Sequence, residues 1–219
     1  MPNDLVCGAV PLTLGVPASA DGTLATAQPG EAEALDVLAD ILGGGTTSRL
    51  YRSLVVDKGI AAGTGAYYGG TALKESQFGV YGMPRGEASL AEIETAIDAE
   101  IAEVRKTGVT EAELERAKNR VRKNMIYLRD SQTAMARRVG AALSTGRTLK
   151  DVETWPDRIE AVTVADVNEV ARKYLTPERS VTGYLKPEQT VAADAAKGGA
   201  KPAAGDDAAA GPAASDSRS

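Results

Sequence analysis

Few side chains in this sequence have any reach into chemistry, and they fall into small groups. Gly43-Gly44-Gly45-Thr46-Thr47-Ser48 has the form of a phosphate-holding loop, since exposed amides ahead of a helix can hold an anion. It lacks the Gly-Lys-Ser/Thr ending of a nucleotide loop and follows a predicted helix instead of a strand, so it reads as a helix stop. Arg116, Lys118, Arg120, Arg122 and Lys123 form a basic run downstream of Glu111, Glu113 and Glu115. Acid early and base late is the order the helix dipole favours, so this run reads as a solvated helix face. Arg129-Asp130 and Arg137-Arg138 could line an interface or groove, although single arginines of this kind read more readily as local ion pairs. The paired carboxylates Glu92/Glu94 and Glu111/Glu113 stand at helix starts, where they cap. Cys7 has no imidazolium to lower its pKa and reads as inert.

An absence bounds the chemistry more tightly than any of these. No histidine occurs among the 219 residues. That excludes Ser-His-Asp and Cys-His nucleophile pairs, every His-ligated zinc site and the usual general base near neutral pH. A single cysteine excludes an internal disulfide and a thiolate zinc cluster. The net charge of −5 argues against an electrostatic nucleic-acid binder. Chemistry in which this chain takes part is therefore expected on another polypeptide or segment.

The elements that must position these residues are well punctuated between 29 and 187. A helix is predicted from Pro29 to Leu42 on the stripe Leu35, Leu38, Ala39 and Leu42, with the glycine run as its stop. A short helix follows, carrying Leu50, Tyr51, Leu54 and Val55 up to Gly59. Ile60–Tyr68 and Gln77–Met83 then read as an antiparallel hairpin. Ser89-x-x-Glu92, Thr110-x-x-Glu113 and Thr163-x-x-Asp166 open three helices in capping-box form. A fourth, shorter helix from Thr148 and Asp151 is expected to be interrupted at Trp155-Pro156. Ser180–Leu185 reads as a last strand. The order predicts an α+β fold, an antiparallel or mixed sheet with helices packed on one face.

Both ends differ in composition from this body. Residues 1–28 read as an irregular arm or degenerate edge strand, Val6 to Leu14, before a Gly/Pro/Ala loop. A secretory leader is the alternative, although a basic start is missing. Residues 188–219 are Ala/Gly/Asp-rich and read as a disordered tail, with too little apolar surface to offset ordering. No run of about 18 apolar residues exists to span a membrane.

The stretches EAEALDVLADILGGGTTSRLYRSLVVDKGIAAGTGAYYGG and VTEAELERAKNRVRKN together resemble the C-terminal domain of an M16 (insulinase/pitrilysin-type) metallopeptidase, over about Pro29 to Lys186. The resemblance implies one α+β lobe of a two-lobed subunit. Zinc would sit on a separate amino-terminal lobe carrying His-x-x-Glu-His, with none bound by this chain. In many family members this lobe supplies an arginine and a tyrosine, seven positions apart, that help bind substrate. Val55 stands at the arginine position and Ala62 at the tyrosine position, and neither side chain can hydrogen-bond. The resemblance thus implies a catalytically silent lobe, of the kind found in zinc-bearing subunits, that walls a peptide chamber. Its implied partner is a zinc-bearing M16 lobe or subunit, in a homo- or hetero-oligomer, with no nucleic acid. A free-standing scaffold of M16-like fold and a truncated peptidase subunit remain alternatives. The compartment stays open between periplasm and cytoplasm.

Overall fold

The computed structural model describes residues 12–15, 30–70, 76–177 and 180–185, with 12–15 and Arg129 described by their backbone alone. The expectations for Cys7 and for the 188–219 tail lie outside the described residues. Strand β1 (Leu12–Gly15) precedes helix α1 (Glu31–Gly43) and a π-helical turn (Tyr51–Asp57). The hairpin strands β2 (Ala61–Tyr68) and β3 (Gln77–Pro84) follow. Five helices come next: α2 (Leu90–Thr107), α3 (Glu111–Arg129), α4 (Gln132–Ser144), α5 (Leu149–Ala161) and α6 (Val164–Tyr174). Strand β4 (Ser180–Thr182) closes the series.

The four strands form one sheet in the order β2-β3-β1-β4, antiparallel throughout. The arm thus contributes an interior strand, not an edge. Leu12 faces Val80 on one side and Thr182 on the other. A distant segment beyond Pro177 supplies the covering strand, and local periodicity cannot show such a partner.

Alternation across β3 sets the two faces. Phe78 and Val80 are fully buried, and Gly82 lies so close to α2 that an added Cβ would meet Ile93. On the opposite face each side chain lies over a cross-strand glycine: Tyr67 over Gly79, Tyr81 over Gly65 and Met83 over Gly63. The helices cover the Phe78 side, as the pattern predicts, and the tyrosine side carries none of the described helices. Tyr67 and Tyr81 stay 42% and 36% exposed.

Helix α1 is the hub. Ala34, Leu35, Val37, Leu38, Ile41 and Leu42 are all buried, and the helix packs against β2, α3, α5 and α6. Its acidic residues dock it to its neighbours. Glu31 accepts from Lys173 and Tyr174 of α6, and Glu33 from Arg158 of α5 at 2.6 Å. Asp36 accepts from the Trp155 indole at 3.2 Å, and Asp40 pairs with Arg120 of α3 at 3.5 Å. At its end the backbones nearly touch, for a Cβ on Gly43 would stand 1.9 Å from the Ala66 nitrogen. The glycine run therefore serves two ends: Gly43 permits this approach, and Gly45 takes the positive φ of 131° that turns the chain.

The predicted capping boxes form at Ser89, Thr110 and Thr163, and the helix start at Thr148 closes a fourth with Asp151. Helix α5 departs from expectation: it runs without a break through Pro156. An interior proline removes a helical hydrogen bond at a cost of about 3 kcal/mol. Here burial of Val152 and Ile159 and the anchoring of Trp155 and Arg158 to α1 offset that cost.

Candidate functional site

Two places on this frame are candidate sites. The first is the surface bearing Val55 and Ala62. Val55 belongs to the π-helical turn and is half-buried against the core. Ala62 is exposed where the β2–β3 register slips between Ala61 and Gly63, so it is the extra residue of a bulge. Bulges often aim side chains next to sites, yet this one carries only a methyl group. Val56 beside it is 63% exposed. Arg52 is exposed on the same turn. Tyr67 stands at the far end of β2, about 16 Å along the strand from Ala62, so it does not join this surface.

The charged residues singled out in the sequence do structural work. Arg120 donates to the Gly44 carbonyl and to Thr47 Oγ1, pinning the glycine turn by its oxygens. Ser48 Oγ donates to the Gly45 carbonyl. The turn is thus engaged as an acceptor, the reverse of a phosphate cradle. Burial raises Asp40 to about 6 against the opposing field of Arg120. Lys118 is buried and Arg122 pairs with Glu160 at 2.6 Å, so the basic run is only partly a solvated face. Arg49 donates twice to Glu113, at 2.6 and 2.8 Å, and to the Gly108 carbonyl. Burial would raise the Glu113 pKa, but the bonds from Arg49 and Thr110 pull it down to about 2.

The second place is an open cavity of about 250 Å³ bounded by α1, the end of β2, α4 and α5. Asp36, Tyr68, Arg138, Arg147, Asp151 and Trp155 line it. Arg138 lies 4.3 Å from the Trp155 ring centroid in a cation–π stack, not in the local ion pair expected for it. Arg147 donates to the Gly70 carbonyl. Burial pushes the Asp36 carboxyl up to about 7; the Trp155 bond and the fields of Arg138 and Arg147 oppose the rise, and Glu33 adds to it. The Tyr68 hydroxyl is buried without a hydrogen-bond partner among the described residues; Ser76 lies near it but outside bonding geometry. Sequence reading singled out Arg138 as a groove candidate but missed the cluster it joins. Asp36 gave no distinct local signal, being one of four acidic residues on α1.

Neither place offers a metal centre. The described residues hold no group of three or more His, Cys, Asp or Glu able to bind an ion, and the sequence has no histidine. Zinc does not fit this set of residues.

An α+β lobe with a one-sided helical layer and no resident metal cluster among its described residues is the class defined so far. Residues 21–121 match the peptidase M16 inactive domain. An uncharacterized zinc protease of Bacillus subtilis is 28% identical over 146 residues, covering 66% of this chain and 35% of that protein. The chain spans about a third of the length of the curated relatives it matches. Among solved structures, a protease from Helicobacter pylori superposes with a TM-score of 0.72 at 24% identity, over 85% of this chain and 42% of that one. The inactive peptidase domain of a zinc protease from Bordetella parapertussis gives 0.71 at 18% identity, over 85% and 94%. Those two likenesses show the fold.

Proposed function

We propose that this chain serves as the non-catalytic lobe of an M16-type zinc peptidase, walling the peptide chamber and packing against a zinc-bearing lobe or subunit. The observation that carries this reading is the bare face of the sheet. Helices cover one side, while Tyr67, Tyr81 and Val181 stand exposed on the strands. Aromatic side chains laid over glycines make a flat, amphipathic surface, the kind that forms the centre of a protein interface. The aliphatic Val55/Ala62 surface supports catalytic silence, because it offers no donor to a substrate carbonyl or an oxyanion. Relatives described as zinc proteases, matched over about a third of their length, support a role as one part of such a machine.

The test is affinity capture from source cells with the wild-type chain and with a Tyr67→Asp/Tyr81→Asp double variant. The wild type is expected to recover a protein with the His-x-x-Glu-His motif, and the double variant to lose it while melting as the wild type does. Recovery of no such protein, or equal recovery by both baits, contradicts the reading.

A further inference from the structure

The cavity at Trp155 has more hydrogen-bond donors than acceptors. A guanidinium carries five N–H donors in a planar fork. Arg138 has no hydrogen bond or ion pair among the described residues beyond its stack on Trp155, and Arg147 commits one nitrogen to the Gly70 carbonyl. The Tyr68 hydroxyl adds a further unpartnered group. On the acceptor side, one oxygen of Asp36 is taken by the Trp155 indole. The Asp151 Oδ2 atom accepts from the Thr148 amide and hydroxyl. Two cations with largely uncommitted forks therefore face a concavity whose carboxylates, Asp36 and Asp151, each have one oxygen already engaged.

We propose that this cavity binds a carboxylate, held by the forks of Arg138 and Arg147 with the Tyr68 hydroxyl donating to the same group. A planar carboxylate matches the guanidinium fork two oxygens to two nitrogens. Stacking on Trp155 holds the Arg138 plane in place before the ligand arrives, so little side-chain freedom is lost on binding. At about 250 Å³ the space falls just below the usual range for drug-sized ligands, so it admits a group of roughly one residue. Such a group is either a small free acid or the carboxylate at the end of a peptide chain. The apolar wall of Ala141, Ala142 and Val152 suits a short aliphatic body behind the head group. This inference does not rest on the lobe reading, and either can fail without the other.

Trp155 is the sole tryptophan, so its emission reports on this cavity alone. The full chain is titrated with acetate, N-acetylglycine, N-acetylglycinamide and a tripeptide with a free C terminus, to about 10 mM, which reaches millimolar affinity. Saturable emission changes are expected with the carboxylates and none with the amide. Saturation by the tripeptide as well as by the small acids assigns a chain end; saturation by the small acids alone assigns a free acid. Arg138→Lys keeps the charge but loses the fork and is expected to bind about tenfold more weakly. Arg138→Gln should abolish the response, and the Lys variant carries the test if the Gln variant does not fold. No saturation by any carboxylate, equal response to the amide, or unchanged affinity in Arg138→Lys overturns the proposal.

Discussion

The surface at Val55 and Ala62 and the cavity at Trp155 lie on the same sheet-and-helix frame and are opposites in chemistry. The first occupies the position where the M16 resemblance implies hydrogen-bonding side chains, and it presents valines and a methyl group. The second gathers two arginines, two aspartates, a tyrosine and the only tryptophan, of which the sequence pointed to Arg138 alone as a groove residue. Strand β2 joins them, with Ala62 at its bulged start and Tyr68 at its end. Family likeness thus locates a frame, while the polar groups must be found by tracing which elements the fold brings together.

The end of α1 that packs on this strand is where substitution should hurt most. Gly43→Ala sets a Cβ against the Ala66 backbone, which cannot rotate away. A loss of about 3 kcal/mol or more is expected in urea denaturation, the size typical of a forced core overlap. Wild-type stability in this variant would break the α1–β2 contact on which both regions depend. Next comes Trp155→Phe, which leaves the Asp36 carboxyl buried without its donor and should cost about 1–3 kcal/mol. If that variant melts as the wild type does, the cavity is less organised than its geometry states.

Asp36→Asn sharpens the contrast through pH. The carboxyl titrates near 7 in the folded chain, against 3.8 as its ordinary value. The native state therefore holds this proton more tightly than the unfolded chain. Stability from Asp36 is complete below about pH 4 and is lost as the pH rises through 7. The Asn variant should exceed the wild type by about 1–3 kcal/mol at pH 8, with the gap smallest at pH 4. A gap independent of pH would contradict the burial of this charge. Val55→Arg/Ala62→Tyr should have the smallest effect, within about 1 kcal/mol, because one site is exposed and the other only half-buried. A large loss there would show that the aliphatic surface is packed and not open.

What the sequence showed and what it hid follow from the range of the interactions. Four helix starts were legible because a capping box is satisfied within four residues, as at Thr110 and Glu113. The hairpin and the buried face of β3 were legible because alternation is local. Strand β1 was misplaced at an edge because its outer neighbour, β4, comes about 170 residues later. Pro156 was read as a break because its tolerance comes from α1, through Trp155 and Arg158. Arg120 looked solvated because its acceptors, Gly44 and Thr47, lie more than 70 residues away. The cavity was hidden for the same reason, its walls running from Asp36 to Trp155.

We propose, as the central claim, that this chain contributes structure and not chemistry to an M16-type peptidase. Metal analysis of the purified full chain, joined to a cleavage assay on an unfolded insulin-like peptide, tests it most directly. No stoichiometric zinc and no chelator-sensitive cleavage are predicted. One tight zinc per chain, with hydrolysis that a chelator abolishes, would contradict it.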